Sequence, residues 1–313
     1  MEKILICSSF YEAGTPFLKQ FFAGVVNSAN NSSKEVCLLI AADDFQDIKG
    51  VIEKYRGDVD IKVSKATEIE TISDVRSRMI ESAIQSNFDI LIFLDMDDFL
   101  LEGGVNYHLE ALAGADISYG DLQLVDSNGN PTGKTLFTGI AVPNTVVSSD
   151  SIREGNFFGF SNTAVKCKSL GGLDLQIPSN LIASDWWFFS HLLSKGLTAK
   201  KTAGAVAAYR QHNANTLGAN MATSLEQIQF RCKVALDHFG QLPAVPENRV
   251  IVKKLELLAE TLSMRPHEID LLSFKTHPRN HVWFFDVFCL AKSVHEKKFG
   301  NRVNTKTGNN TDG

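Results

Sequence analysis

The sequence predicts an α/β fold with a largely parallel sheet, and three observations support this prediction. Short apolar runs typical of buried strands alternate with amphipathic segments at helical spacing between residues 3 and 94. The most apolar of these runs, Ile90–Leu94, contains no polar residue and fits a strand that is buried on both faces. Three acids follow it directly, at the end of the strand where open α/β sheets bind ligands. Because strand–helix–strand units give parallel strands with right-handed crossovers, this alternation favours a parallel sheet.

The elements follow one another in a regular order over the first part of the chain. Gly14-Thr15-Pro16 opens the first helix, since proline is favoured in a first turn. The predicted strands and helices alternate at 3–7, 14–26, 35–40, 47–56, 61–63, 72–86 and 90–94. A helix over 106–112 and a strand over 116–119 continue the pattern.

The composition changes after this point. Residues 132–180 are rich in Gly, Asn, Ser and Thr, which predicts loops and mixed-sheet strands around a cleft. Phe157, Phe158 and Phe160 lie in this stretch and are expected in the core. A helix is predicted to begin near Ser184 as its N-cap, with Asp185 in the first turn.

The remaining chain is predicted to be mainly helical. A strand over 203–209 precedes helices at 222–239, 247–263, 266–273 and 282–298. The predicted domains are an α/β domain over 1–218, a helical extension over 219–299 and a tail over 300–313. The tail has almost no apolar residue, so we expect it to be disordered.

The bulk composition is that of an ordinary globular protein. The chain has 313 residues, 44% hydrophobic and 21% charged, and its net charge of −5 argues against a nucleic-acid partner. The five cysteines are scattered without a Cys-x-x-Cys pair, which is typical of reduced thiols in a cytoplasmic protein. The apolar run at 3–7 is too short for a signal peptide, and no window reaches the ~18 apolar residues of a membrane span.

The acids Asp95, Asp97 and Asp98 crowd the end of the Ile90–Leu94 strand. Three carboxylates in one place repel one another unless a cation lies between them. Hard divalent cations take oxygen ligands and commonly bridge a carboxylate to a substrate phosphate. The pattern therefore predicts a Mn²⁺ or Mg²⁺ site, with a solvated acidic turn as the alternative.

Several motifs, in the expected order over about residues 1–217, resemble those of family 2 glycosyltransferases of the GT-A fold. The matching segments are Asp43-Asp44, an arginine at 76 or 78, Leu94-Asp95-Met96-Asp97-Asp98, Gly120-Asp121, Gly171-Gly172-Leu173-Asp174 and Tyr209-Arg210-Gln211-His212. The chain departs from the family pattern at two places. Ser184 precedes Asp185 where the family has Glu, and Ser8-Ser9-Phe10-Tyr11 stands where the family has Pro-x-Tyr-Asn.

The resemblance implies a Rossmann-like, mostly parallel mixed sheet flanked by helices, here with a C-terminal helical extension. It implies an inverting enzyme that moves a sugar from a nucleotide-diphosphate sugar to a hydroxyl acceptor, with Asp185 as general base. The implied metal ligands are Asp97, Asp95 and His212. The implied nucleotide-sugar contacts are Ser8, Asp43, Asp44, Arg76, Arg78, Asp95 and Met96.

The same resemblance suggests the partners. A UDP-sugar is the expected donor, and a glycan or lipid-linked glycan of the cell-surface polysaccharide type is the expected acceptor. The helical extension could cap the catalytic domain, form a homodimer or lie on a membrane surface. Its few basic residues favour capping or dimerisation. The expected location is the cytoplasm, including the inner face of the membrane.

Two other functions fit parts of the sequence. A phosphatase of the haloacid dehalogenase type has an Asp-x-Asp motif similar to Asp95-Met96-Asp97. However, Phe99 stands where that motif has Thr or Val. Gly120-Asp121 resembles the later metal motif of these phosphatases, but it lies too close to Asp95 for the intervening strand–helix units, each of about 30 residues. A degenerate GT-A module for carbohydrate binding or assembly would explain the missing Glu before Asp185. Because both the metal acids and the base are present, the sequence favours the enzyme.

Overall fold

The computed structural model describes residues 2–65, 70–212, 222, 224–271 and 282–299. The chain forms two compact units. The first consists of Met1–Arg153 and Phe157–Thr216, and the second of Glu154–Asn156 and Leu217–Gly313. The predicted domain over 1–218 had included Glu154–Asn156, which the structure assigns to the second unit. The predicted tail over 300–313 lies outside the described residues.

The first unit is built on one mixed sheet. Its strands within the described residues are β1 (Lys3–Tyr11), β2 (Glu35–Asp44), β3 (Asp60–Ser64), β4 (Ile90–Phe93), β5 (Phe99–Leu100), β6 (Ile117–Val125), β7 (Pro131–Thr135), β8 (Thr145–Val146), β9 (Thr163–Lys166) and β10 (Ala199–Arg210). Their order across the sheet is β3-β2-β1-β4-β9-β6-β10-β5, with β7 beside β6 and β8 beside β10.

The sheet is parallel at one side and mixed at the other. Strands β3, β2, β1 and β4 are all parallel, as the strand–helix alternation predicts. Strand β9 then lies antiparallel between β4 and β6, and β10 runs parallel to β6. The stretch at 132–180 therefore supplies the antiparallel strand that turns the parallel sheet into a mixed one.

In the part of this unit that the structure describes, five α-helices connect the strands. They are α1 (Leu18–Asn31), α2 (Ile48–Tyr55), α3 (Ile72–Gln85), α4 (Gly104–Leu112) and α5 (Ser184–Ser194). The first differs from the prediction, because a 3-10 turn over Glu12–Phe17 precedes it. The second begins with a side-chain cap, since Asp47 accepts a hydrogen bond from the Gly50 N–H. Gly24 in α1 faces the backbone of Leu100, and a Cβ there would lie 2.8 Å from the Leu100 nitrogen.

The core of the first unit fills the space between sheet and helices. All four residues of β4 are buried, which confirms the prediction of a strand covered on both faces. Phe157, Phe158 and Phe160 are at most 5% exposed and belong to the core, as expected. All five cysteines are free thiols. Hydrophobic packing, with no disulfide, holds this unit together.

The second unit is helical in the part that the structure describes. It contains α6 (Leu225–Gly240), α7 (Pro246–Met264) and α8 (Phe285–Phe299), which pack pairwise against one another. The predicted helix over 266–273 is wrong for its described part, where only a 3-10 turn over Pro266–Glu268 forms. Proline at 266 has no N–H to continue α7, and the chain after it forms only this one short turn. Among the described helices of both units, none is both long and apolar enough to cross a bilayer.

Candidate functional site

The three predicted metal acids lie on a tight turn at the carboxyl end of β4. The Leu94 N–H donates to the Cys7 carbonyl at 2.9 Å, which keeps the chain beside β1 for one residue past the strand. The turn then closes with a bond from the Asp98 N–H to the Asp95 carbonyl at 3.0 Å. The Asp95 N–H donates to Ser161 Oγ at 3.0 Å, which anchors the turn to the segment before β9.

Asp97 and His212 form the centre of this site. Asp97 Oδ2 and His212 Nε2 are 2.8 Å apart, and the two side chains are 14% and 13% exposed. Burial and the nearby charge of Asp95 raise the pKa of Asp97, while His212 lowers it. The ring of Tyr11 is close enough that burial first, then Asp97, Asp95 and Asp98, raise its pKa. The Asp97 carboxylate and the His212 imidazole therefore lie where several carboxylates repel one another.

Asp98 is the deeply buried member of the triplet. It is 1% exposed, and its Oδ1 accepts a hydrogen bond from the Arg210 backbone N–H at 2.9 Å. Its Oδ2 has no partner among the described residues. Burial, followed by the charges of Asp97 and Asp95, raises the pKa of Asp98 well above its usual range. A buried carboxylate with one oxygen unsatisfied is costly, and such groups concentrate at functional sites.

The two candidate arginines of α3 have different surroundings. Arg76 is 5% exposed, pairs with Asp95 through Nη2, and lies over the Phe160 ring with 4.7 Å from Cζ to the ring centroid. Its Nε and Nη1 have no acceptor among the described residues. Arg78 instead pairs with Glu70 at 2.6 Å and bonds Ser64. The structure thus brings Arg76 to Asp95 on the acid turn, while Arg78 binds Glu70 and Ser64.

The candidate base Asp185 lies in the first turn of α5. The N-cap prediction is wrong by one residue, because Ala183 occupies the cap without a side-chain bond and Ser184 is already helical. The Trp186 N–H donates to Asp185 Oδ1 at 2.6 Å. Burial raises the pKa of Asp185 to about 7, opposed by the Trp186 N–H. Asp95 raises this pKa further and Arg76 lowers it, which shows that Asp185 lies within the electrostatic range of both.

The other predicted contacts lie at the same end of the sheet. Ser8 is fully buried in β1, and its Oγ has no partner among the described residues. Met96 is also buried, and its sulfur accepts from the Tyr11 N–H at 3.4 Å. Asp43 and Asp44 end β2 beside β1, but their side chains lie outside the described part of the structure.

Three residues of the site carried no assigned role in the sequence. Tyr11 and Ser161 touch the acid turn, and Arg210 bonds to it through side chain and backbone. Arg210 lies inside the Tyr209-Arg210-Gln211-His212 segment, so the motif included this residue but did not predict a role for it. Ser161 had no signal of any kind, because a serine in a loop becomes informative only when its partner is known.

The side chains of the described residues do not form a complete metal cage. No group of three His, Cys, Asp or Glu side chains in this part of the chain is arranged to hold an ion. Asp97 and His212 nevertheless place an oxygen and a nitrogen donor side by side. A cation bound here would take its remaining ligands from substrate and water, which is how Mg²⁺ usually binds beside phosphates.

The comparisons with known proteins identify the fold. No protein-family model and no curated protein sequence matches the chain. The structure of S. aureus TarS 1-349 in complex with UDP-GlcNAc is similar, with a TM-score of 0.54 at 13% identity over 84% of this chain and 72% of that chain. The mannosyltransferase PcManGT from Pyrobaculum calidifontis, in complex with GDP-Man and Mn²⁺, gives a TM-score of 0.53 at 11% identity over 96% and 87%. The mixed sheet flanked by helices therefore has the GT-A fold that the sequence predicts.

Proposed function

We propose that the protein is a glycosyltransferase that moves a sugar from a nucleotide-diphosphate sugar to a hydroxyl acceptor. The observation that carries this proposal is the position of Asp185, a carboxylate with a pKa of about 7 in electrostatic range of Asp95 and Arg76. A base with a pKa near the working pH is suited to general base catalysis. The acids on the turn after β4 are suited to a metal-bound diphosphate.

The donor side of the site is assigned to the end of β4. Asp97 and His212 would hold Mn²⁺ or Mg²⁺, with Asp95 beside them, and the bound cation would neutralise charge on the departing diphosphate. The donor set fits, because the crowded carboxylates raise the pKa of Asp97 and a cation would relieve their repulsion. Arg76 supplies two buried, unsatisfied N–H groups that match phosphate oxygens.

The acceptor side is assigned to the start of α5. Asp185 takes the proton from the acceptor hydroxyl as its oxygen forms a bond to the anomeric carbon. The bond from that carbon to the diphosphate breaks in the same displacement, and the electron pair leaves with the diphosphate. Because a single displacement enters opposite the leaving group, the anomeric centre is inverted. Asp185 is held ready by the Trp186 N–H, whose bond fixes the direction of the carboxylate.

The donor is proposed to be a UDP-sugar, and the acceptor a glycan or a lipid-linked glycan. The similar structures contain UDP-GlcNAc in one case and GDP-Man with Mn²⁺ in the other. The test of the donor below therefore uses both UDP and GDP. The candidate nucleotide contacts Asp43, Asp44, Arg76 and Arg78 remain part of this proposal, with Arg76 favoured over Arg78 because Arg78 is already held by Glu70.

Titration calorimetry with UDP and GDP, in Mn²⁺ and in EDTA, tests the donor assignment. We expect one nucleotide to bind in Mn²⁺ and to lose at least about tenfold in affinity in EDTA, since the cation links carboxylate to phosphate. Asp97→Asn should lose the same affinity in Mn²⁺. The control Asp237→Asn, which changes a half-buried acid of α6 in the second unit, should bind like the wild type. Equal affinity in Mn²⁺ and EDTA would contradict the metal assignment, and binding without sugar transfer would support a non-catalytic carbohydrate module.

A further inference from the structure

Arg210 is an unusual feature of the site that the proposed chemistry does not use. It is fully buried at the end of β10, although a guanidinium keeps its charge at any ordinary pH. Burying such a group is unfavourable unless its N–H donors are satisfied. The surroundings of Arg210 are therefore expected to be specific, and they connect three separate segments of the chain.

Within the described residues, the guanidinium donates to acceptors that lie in three different directions. Its Nε donates to the Asp97 carbonyl at 2.7 Å, Nη1 to the Ser127 carbonyl at 3.1 Å, and Nη2 to Gln20 Oε1 at 2.7 Å. The ring of Phe17 covers it at 4.5 Å from Cζ to the ring centroid. Only a planar fork of donors can reach acceptors placed this way.

Arg210 holds the acid turn from two sides at once. Its side chain binds the carbonyl of Asp97, and its backbone N–H binds Oδ1 of Asp98. Residues two apart in an extended chain point to the same side, so His212 also reaches Asp97. The Gln211 N–H donates to the Val125 carbonyl at 2.9 Å, which keeps this segment in line with β6. The side chains of both proposed metal ligands are therefore set by one short segment.

The outer end of the guanidinium is held by α1. Gln20 accepts from Arg210 through Oε1 and donates through Nε2 to the Asn128 carbonyl at 3.3 Å. Gly129 makes room for this contact, because a Cβ there would lie 2.3 Å from Gln20 Nε2. Gln20 thus links Arg210 to the turn between β6 and β7.

We propose that Arg210 is a positioning residue that preorganises Asp97 and His212 as a divalent-cation site, with Gln20 orienting its guanidinium. This inference rests on the proposed function, because it takes Asp97 and His212 as the metal ligands. Partners that orient metal ligands typically change metal affinity by about 10- to 100-fold when they are removed. Arg210 thereby sets how strongly the cation binds and leaves proton transfer to Asp185.

Electron paramagnetic resonance of free Mn²⁺, titrated with the protein alone, measures this effect without any sugar donor. Arg210→Lys keeps the charge but cannot reach three acceptors, so we expect its dissociation constant for Mn²⁺ to rise 10- to 100-fold. Arg153→Lys changes another arginine of the same unit, paired with Asp150, and should bind Mn²⁺ like the wild type. Near-ultraviolet circular dichroism checks that each variant is folded.

A pair of changes at Gln20 separates positioning from general packing, and it serves if Arg210→Lys does not fold. Gln20→Ala removes the acceptor for Nη2, and we expect weaker Mn²⁺ binding. Gln20→Glu keeps an acceptor there and should restore most of the affinity, which a loss of packing alone would not predict. If the wild type binds Mn²⁺ and either Arg210→Lys or Gln20→Ala binds it with the same dissociation constant, the inference about Arg210 is wrong while the proposed function stands. No Mn²⁺ binding by the wild type would overturn the metal part of the proposed function, and the inference with it.

Discussion

Each unit of the molecule contains an arginine–aspartate pair with one buried partner, and the two pairs differ in how completely their hydrogen-bonding groups are satisfied. In the second unit, Arg231 pairs with Asp286, which is 2% exposed. Asp286 also accepts from the Ala222 N–H at 2.9 Å and the Val287 N–H at 2.8 Å, so both of its oxygens are bonded. In the first unit, Arg76 pairs with Asp95 and keeps two donors without an acceptor among the described residues.

This difference separates a structural pair from one that is suited to a ligand. A closed pair offsets its desolvation through its own hydrogen bonds and has nothing left to offer a substrate. An open pair keeps unsatisfied groups, which is costly to folding and useful only if something binds them. The unsatisfied atoms of Arg76 and Asp98 both lie around the end of β4. If this distinction is correct, substitutions around the open pair should mainly reduce activity, and substitutions in the closed pair should mainly reduce stability.

The largest effect is expected from removing the base of the open site. Asp185→Asn keeps the size of the side chain but cannot take a proton, so turnover should fall by about 10² to 10⁴. Donor affinity should persist, because Asp185 faces the acceptor in the proposed mechanism. Product configuration by NMR and turnover by donor consumption measure this. Glu110→Gln, an exposed acid on α4, is the control. Near-normal turnover, or a product with the donor's own anomeric configuration, would disprove the assignment.

The next effect concerns the closed pair of the second unit. Asp286→Ala removes the buried carboxylate that accepts from Arg231, Ala222 and Val287, and we expect about 3–5 kcal/mol of destabilisation. The matched control is Asp237→Ala on α6, whose pair with Lys233 is exposed and should contribute less than about 1 kcal/mol. Urea unfolding of the two variants measures the difference. A similar loss in both would show that the buried pair is no more important than a surface pair.

The pH dependence of activity follows from the environment of Asp185. Its pKa is raised to about 7, and the base works only when ionised. We therefore expect kcat/KM to fall about tenfold per pH unit below pH ~7 and to level off above it. A profile of kcat/KM against pH, with donor saturation held constant, measures this. A plateau that extends down to about pH 5 would show that the working base is another group.

The smallest expected effect is a rise in melting temperature when Asp185 is replaced by a residue that cannot ionise. Because the folded-state pKa of Asp185 lies above the usual value of 3.8, ionisation weakens the folded state as pH rises between these values. Asn cannot ionise, so Asp185→Asn should melt several degrees above the wild type at pH 8. The difference should disappear at about pH 2–3, where the Asp185 carboxyl is neutral in both the folded and the unfolded chain. Thermal unfolding at both pH values measures it, and an equal melting temperature at pH 8 would contradict the raised pKa.

The sequence by itself determined the order of most elements and the presence of three acids after β4. The apolar run at 90–94 and the periodic helices depend on local patterns, so the strand–helix alternation and the parallel strands β3, β2, β1 and β4 could be predicted. Asp97 and Asp95 could be selected as candidate metal ligands because three carboxylates crowded after a buried strand repel one another unless a cation lies between them. The helix predicted over 266–273 was wrong for its described part, because apolar spacing over so short a segment does not distinguish a helix from a single 3-10 turn.

Only the tertiary structure decided which side chains meet. Arg76 and Arg78 are equivalent in a helical pattern, yet one reaches Asp95 and the other Glu70, since they project from different sides of α3. The contact of Arg210 with Gln20 joins residues 190 positions apart, and no local pattern encodes such a distance. The raised pKa of Asp185 depends on burial by residues from other elements. Local sequence fixes what each segment becomes, whereas contacts between distant segments fix the electrostatics of the site.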